Sequence, residues 1–163
     1  MPREHRPHPH EDVVDPDVDL HDPEQRLETQ IHEWDLLAVI SVGGVLGAEA
    51  RYGLQRAMPA HAGDFPWTTL LINGVGSLAI GVLMIVVLEI AQPHRYVRPF
   101  VGVGILGGFT TYSTFAVDVV QLARHSHAAA AIAYVLASFA VCGAATFAAI
   151  VSTRALAQRR VAA

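Results

Sequence analysis

The side chains best suited to chemistry in this 163-residue chain are neutral and lie inside apolar runs. The densest set is Gly107-Gly108-Phe109-Thr110-Thr111-Tyr112-Ser113-Thr114-Phe115. Paired glycines and β-branched threonines disfavour a helix interior. Yet the flanks, residues 101–106 and 116–122, read as apolar helix. Irregular backbone at membrane depth survives only where protein or a watery cavity covers its freed polar groups. A broken membrane helix is therefore a candidate ion or substrate site.

Two polar stripes accompany that segment. Thr69, Asn73 and Ser77 recur every four residues and share one helix face, as do Tyr134, Ser138, Cys142 and Thr146. Single hydroxyls often serve only to join membrane helices. An asparagine at mid-span beside a broken helix and a second stripe favours a pore lining instead. Asp118 lies deep in the third apolar run, one turn beyond Phe115, and is a functional suspect. No nucleophile–base pair or metal-ligand cluster occurs in these runs, which argues against an enzyme.

The elements that must position these groups are four apolar spans, each near the ~20 residues that cross a bilayer. They cover about Leu36–Leu54, Thr68–Ile90, Phe100–Leu122 and Ala128–Ser152. Trp34, Tyr52, Trp67 and Tyr96 fall near span ends, where amphipathic rings prefer to sit. Short polar connections predict a compact antiparallel bundle. In the first span Gly43/Gly47 and Gly44/Ala48 are small-residue pairs that permit close helix approach, and the expected neighbour is a second subunit. Arg51, near that span's end, either snorkels to the interface or attracts anions to a pore mouth. Glu89, at the end of the second span, reads as solvated.

The composition agrees: 52% of residues are hydrophobic and mean hydropathy is +0.36, too apolar and too clustered for an ordinary soluble domain. Charge is segregated as well. Residues 1–35 hold 11 acids against 3 arginines, and residues 36–163 hold 4 acids against 8 arginines. Residues 1–35 read as a disordered, acidic, His-rich tail, in which His5, His8 and His10 suggest solvated side chains more than a metal site. Residues 36–163 form the membrane domain. The start lacks the apolar core of a signal peptide. Arginine counts favour both termini in the cytoplasm. Cys142 is the single cysteine, so no intrachain disulfide forms.

Three ordered motifs resemble the Fluc (CrcB-type) fluoride channel family: Gly43-Gly44-x-x-Gly47-Ala48-x-x-Arg51-Tyr52, then Thr69-Leu70-x-x-Asn73-x-x-Gly76-Ser77, then the segment from Gly107 to Phe115. The resemblance covers about residues 36–153. It implies an all-α membrane protein whose subunit has four transmembrane helices with a broken third helix, assembled as an antiparallel dual-topology homodimer in the bacterial inner membrane. It further implies passive, fluoride-selective export. The implied pore residues are Asn73, Tyr112, Phe115, Thr69, Ser113, Thr114, Tyr134, Ser138 and Arg51. A structural sodium ion at the dimer centre would be held by backbone carbonyls of Gly107 and Thr110. The sequence departs from the family pattern in having Tyr112 for phenylalanine, Cys142 for a serine and Asp118 for glutamate.

This chemistry suits fluoride. Its tightly held water must be replaced by donors that still let the ion leave. Asparagine and hydroxyl groups supply such donors, and aromatic ring edges carry partial positive charge. The competing reading is a small four-helix proton-coupled multidrug or cation exporter. It requires an intramembrane carboxylate for proton exchange, and Glu49 is the first-span candidate. A non-conducting membrane subunit is a third reading, but it leaves the hydroxyl-rich break without a purpose.

Overall fold

The computed structural model describes residues 23–161 apart from 60, 62, 91–93 and 125–127. The expected tail with His5, His8 and His10, and parts of the second and third connections, lie outside the described residues. The chain divides into Met1–Asp35 and Leu36–Ala163.

All described regular structure is helical. Helix α1 runs Pro23–Ala57, α2 runs Trp67–Ile85 and continues as π-helical turns over Val86–Ile90, and α5 runs Ala128–Val161. Between them, α3 is π-helical over Arg98–Leu106 and closes with an α-helical turn, Gly107–Phe109; α4 runs Tyr112–Arg124. Four stretches are long and apolar enough to span a bilayer: Trp34–Ala57, Trp67–Glu89, Arg98–Arg124 and Ala128–Arg159. The chain is a multi-pass membrane protein by that measure.

Helix α1 begins well before the expected span, so the backbone of residues 23–35, read from composition as disordered, is helical. Proline suits a first helical position. The residues after it, Glu24-Gln25-Arg26-Leu27-Glu28, are strong helix formers. Charge composition argues for solvation, and a solvated helix satisfies it as well as a coil does.

The glycines of α1 fit the third span of the same chain. A Cβ added at Gly43 would stand 3.0 Å from Gly104 Cα, and one at Gly47 would stand 2.8 Å from Phe109 N. One at Gly108 would collide with the Gly44 carbonyl. The small-residue face expected to meet a second subunit is therefore occupied within the chain at Gly43 and Gly47, whereas a Cβ at Gly44 would meet nothing within 4 Å. Backbones this close leave no room for side chains, which is how membrane helices gain dispersion contact without a hydrophobic driving force.

Helix α2 packs along α5 by the same device. A Cβ at Gly74 would meet Val141 Cγ1 at 3.1 Å, and one at Gly81 would meet Ala149 Cβ at 2.9 Å. Across the far end of this pair, Arg154 Nε donates to both Glu89 carboxylate oxygens at 2.9 Å, and its Nη2 donates to Oε1 as well. Glu89 is exposed, as expected, and is also one half of a fork-shaped ion pair. Near the opposite end Leu70, Leu122, Ala131 and Tyr134 form a buried cluster against which Phe65 and Phe115 pack. Polar Thr68, Thr69, Thr111 and Ser138 are buried, while Leu88, Ile132, Leu136 and Phe147 are exposed. An apolar exterior around buried polar groups matches a lipid solvent.

Candidate functional site: the Thr110–Thr111 interruption and its cavity

Between α3 and α4 the helical ladder lapses for two residues. Thr110 has φ −74° and ψ 158°, an extended conformation. Its N–H and its Oγ1 both donate to the Leu106 carbonyl, at 3.0 and 2.8 Å, which closes the end of α3. Thr111 then caps α4: its Oγ1 accepts the Thr114 N–H at 3.2 Å, the bond an N-cap threonine makes to the third helical residue. Thr111 Oγ1 also donates to Thr114 Oγ1 at 3.0 Å and lies 3.3 Å from Ser113 Oγ.

Asn73 of α2 supplies what the ladder loses. Its Nδ2 donates to the Thr111 carbonyl at 3.0 Å, and its Oδ1 accepts the Thr111 N–H at 2.9 Å. One side chain thus satisfies both backbone groups of a residue that is 5% exposed, where unmade bonds are costly. One amide N–H of Asn73 remains beyond this pair.

The same bonds take the usual helical donors away from two carbonyls. In a continuous helix Gly107 C=O would accept the Thr111 N–H and Thr110 C=O the Thr114 N–H. Those N–H groups go to Asn73 Oδ1 and Thr111 Oγ1 instead. Neutral carbonyl oxygens are hard ligands that suit a hard cation.

A cavity of about 420 Å³ opens beside the interruption. Its polar wall is Asn73, Ser77, Thr110, Thr111, Ser138 and Cys142, and its aromatic wall is Tyr112, Phe115 and Phe139. Gly107 also borders it. Ser138 is buried on the same wall, one helical turn from Tyr134. Tyr112 and Phe115 have ring centroids 5.8 Å apart, and Phe115 sits edge-on to Phe139 at 6.5 Å and 78°. Such arrangements leave electropositive ring edges available to an anion.

Below the cavity lies a carboxylate with two hydroxyl partners. Thr69 Oγ1 donates to Asp118 Oδ2 at 2.7 Å, and Tyr134 Oη donates to the same oxygen at 3.4 Å. Each hydroxyl has one proton, so in this arrangement neither has a proton left for a passing ion. The Tyr134 ring also packs at 5.3 Å against Phe115, tilted by 41°, and so braces the aromatic wall from behind.

Of the residues singled out from sequence, Asn73, Tyr112, Phe115, Ser138, Gly107 and Thr110 meet at one cavity. Thr69 and Tyr134 stand behind it at Asp118, and Ser113 and Thr114 belong to the cap of α4. Arg51 is not among the lining residues. Two contributors carry no assigned role in the sequence pattern. Thr111 carries an N-cap signature, a threonine three residues before another hydroxyl, hidden within a run of similar residues. Phe139 directly follows Ser138 and so falls off the four-residue stripe.

A family model described as CrcB-like protein, Camphor Resistance (CrcB), matches residues 38–150. The chain is 42% identical over 132 residues to "Fluoride-specific ion channel FluC 2" of Streptomyces avermitilis, covering 81% of this chain and 83% of the relative. It is 48% identical over 103 residues to "Fluoride-specific ion channel FluC 1" of Streptomyces coelicolor, covering 63% and 67%. A more distant relative, "Fluoride-specific ion channel FluC" of Rhizobium meliloti, is 36% identical over 125 residues, covering 74% and 97%.

Proposed function

The chain belongs to the CrcB-like family, and on that premise we propose that it is a passive fluoride-selective channel that lets cytoplasmic fluoride leave the cell and so relieves its toxicity. It is a channel and not an enzyme. The observation that carries this reading is the uncharged cavity at the Thr110–Thr111 interruption, lined by amide, hydroxyl and aromatic groups. A full positive charge there would hold the ion too tightly to conduct it. The remaining Asn73 N–H, the Ser138 hydroxyl and the edges of Phe115 and Tyr112 replace part of the fluoride hydration shell. Thr69 and Tyr134 orient and screen Asp118, which keeps its charge off the path. Ser113 and Thr114 hold the turn, and Arg51 draws anions toward the mouth.

The third span acts as a broken membrane helix within an antiparallel, dual-topology homodimer in the bacterial inner membrane. Tyr112 is 80% exposed and Phe139 is 71% exposed in the single chain, and a second copy would cover these rings and close the cavity. The arginine counts favour both termini in the cytoplasm, so the oppositely inserted copy of such a dimer enters against that bias. The freed carbonyls of Gly107 and Thr110 fit a sodium ion: two per subunit across a two-fold axis give four neutral oxygen ligands. Such an ion would supply a fixed positive charge between the subunits. The acidic segment, residues 1–35, is a tail appended to the channel domain of residues 36–163.

The exporter reading needs a carboxylate that binds and releases protons during transport. Asp118 lies three residues beyond the cavity-lining Phe115, and it is tied to two hydroxyls on two other helices. Fluoride release from proteoliposomes, measured with and without a proton gradient, separates the two.

A further inference from the structure

One end of the bundle carries positive charge that fluoride conduction as derived above does not use. Contacts between helices set which residues share that end. A Cβ added at Gly81 of α2 would stand 2.9 Å from Ala149 Cβ of α5, and one at Gly102 of α3 would meet Leu83 Cδ2 at 3.2 Å. Arg154 follows Ala149, and Arg98 precedes Gly102, each by about one helical turn toward the end where α2 gives way to Glu89. There the Arg154–Glu89 fork ties α5 to the end of the second span. Arg98, Arg154 and, farther along α5, Arg159 are all exposed. Of the 4 acids in residues 36–163, only Glu89 belongs to this end. Asp64 and Asp118 border a cavity with Pro66 at the opposite end, and Glu49 lies in the half of α1 that leads there. Glu89 is taken by Arg154, and neither Arg98 nor Arg159 has an ion pair among the described residues.

Beside these charges the same helices show an apolar flank: Leu88, Val151 and Leu156 are each at least half exposed. In the adjoining connection the Arg95 guanidinium lies over the Tyr96 ring, 4.6 Å from its centroid, and tyrosine settles at headgroup depth. We propose that this end of the bundle is a docking surface for an anionic phospholipid, with Arg98 and Arg159 meeting its phosphate and Leu88, Val151 and Leu156 meeting its chains. The guanidinium fork matches phosphate oxygens in pairs. A free phosphate ion gains nothing from the apolar flank, whereas a phospholipid meets both parts. Arginine counts place this end in the cytoplasm, whose leaflet carries the anionic lipids. Glu89 neutralises Arg154 and fixes the helix that carries Arg159. Each uncompensated arginine near an anionic headgroup should strengthen binding about five-fold. This docking does not depend on which ion the pore passes.

The test titrates the purified full-length protein, in dodecyl maltoside micelles, with dioleoylphosphatidylglycerol or dioleoylphosphatidylcholine and follows the melting temperature. Phosphatidylglycerol should raise it saturably and phosphatidylcholine should not. The mole fraction at half-maximal shift should increase about five-fold in Arg98→Gln and about 25-fold in Arg98→Gln/Arg159→Gln. Arg56→Gln/Arg124→Gln, at the opposite end, should behave as wild type. Equal shifts with the two lipids would overturn the anionic headgroup. Wild-type affinity in Arg98→Gln/Arg159→Gln, or an equal loss in Arg56→Gln/Arg124→Gln, would overturn the location. A shift of the same size with millimolar inorganic phosphate alone would make the ligand a free ion and overturn the lipid. Should the double variant fail to fold, Arg98→Gln alone decides the location. Native mass spectrometry of the wild type gives a second readout: phosphatidylglycerol should stay bound where phosphatidylcholine is lost, and equal loss of both would overturn the docking.

Discussion

Asn73 and Thr111 exchange two hydrogen bonds, side chain to backbone, at 3.0 and 2.9 Å. The pairing resembles one rung of a sheet ladder built between two helices. It makes Asn73 both a strut for the interruption and a donor to its cavity. Asn73→Ala should therefore abolish fluoride release and also destabilise the fold, by about 1–3 kcal/mol for the buried groups left unpaired. Flux assays and thermal unfolding in detergent check the two effects. A variant with normal stability and no flux would leave Asn73 as a donor alone, and full flux would remove it from the path.

Thr69 and Tyr134 share Asp118 unequally. The Thr69 bond is 2.7 Å and the Tyr134 bond is 3.4 Å, so Thr69→Val should destabilise more than Tyr134→Phe. Hydrogen bonds to a charged group contribute about 1.5–3 kcal/mol, and the Thr69 loss should fall in that range. Thermal unfolding of both variants checks the order, and the reverse order would contradict the assigned geometry.

Gly47 faces backbone, with Phe109 N at 2.8 Å from any added Cβ, whereas a Cβ at Gly53 meets nothing within 4 Å. Gly47→Ala should push the first and third spans apart at a cost of about 1–3 kcal/mol, the usual range for overpacking. Gly53→Ala should be close to neutral. Comparable melting temperatures for the two would show that the first and third spans do not meet this way.

Removal of residues 1–22 should leave folding and flux nearly unchanged. Helix α1 begins at Pro23, and none of the cavity-lining residues precedes Asn73. A large loss of flux in well-expressed truncated protein would assign the tail a gating role.

The spans were legible because hydropathy reads directly as length against a bilayer, and the interruption because glycine and threonine weaken a helix wherever they cluster. The four-residue stripes located Asn73 and Ser138 for the same reason: period alone fixes a helix face. Partnership was not legible. Gly43 and Gly47 announce close packing, but nothing in their types says that the neighbour is Gly104 and Phe109 of the same chain. Asp118 is a carboxylate at membrane depth in sequence, and only the fold gives it Thr69 and Tyr134. Likewise Glu89 meets Arg154 across 65 positions of chain, a pairing no local pattern encodes.

Phe115→Ile tests the aromatic wall. It keeps bulk in the packed cluster but removes the ring edge, so fluoride flux should fall while the melting temperature changes little, within about 1.5 kcal/mol for a hydrophobic swap of similar volume. Undiminished flux would discard the ring-edge contribution.

The most direct measurement is fluoride release from liposomes that contain the purified full-length protein, with chloride-loaded liposomes beside them and no proton gradient across the membrane. Release should be rapid for fluoride, absent for chloride and unaltered when a proton gradient is imposed. Fluoride release that requires the gradient, or chloride release at a similar rate, would contradict a passive fluoride-selective channel.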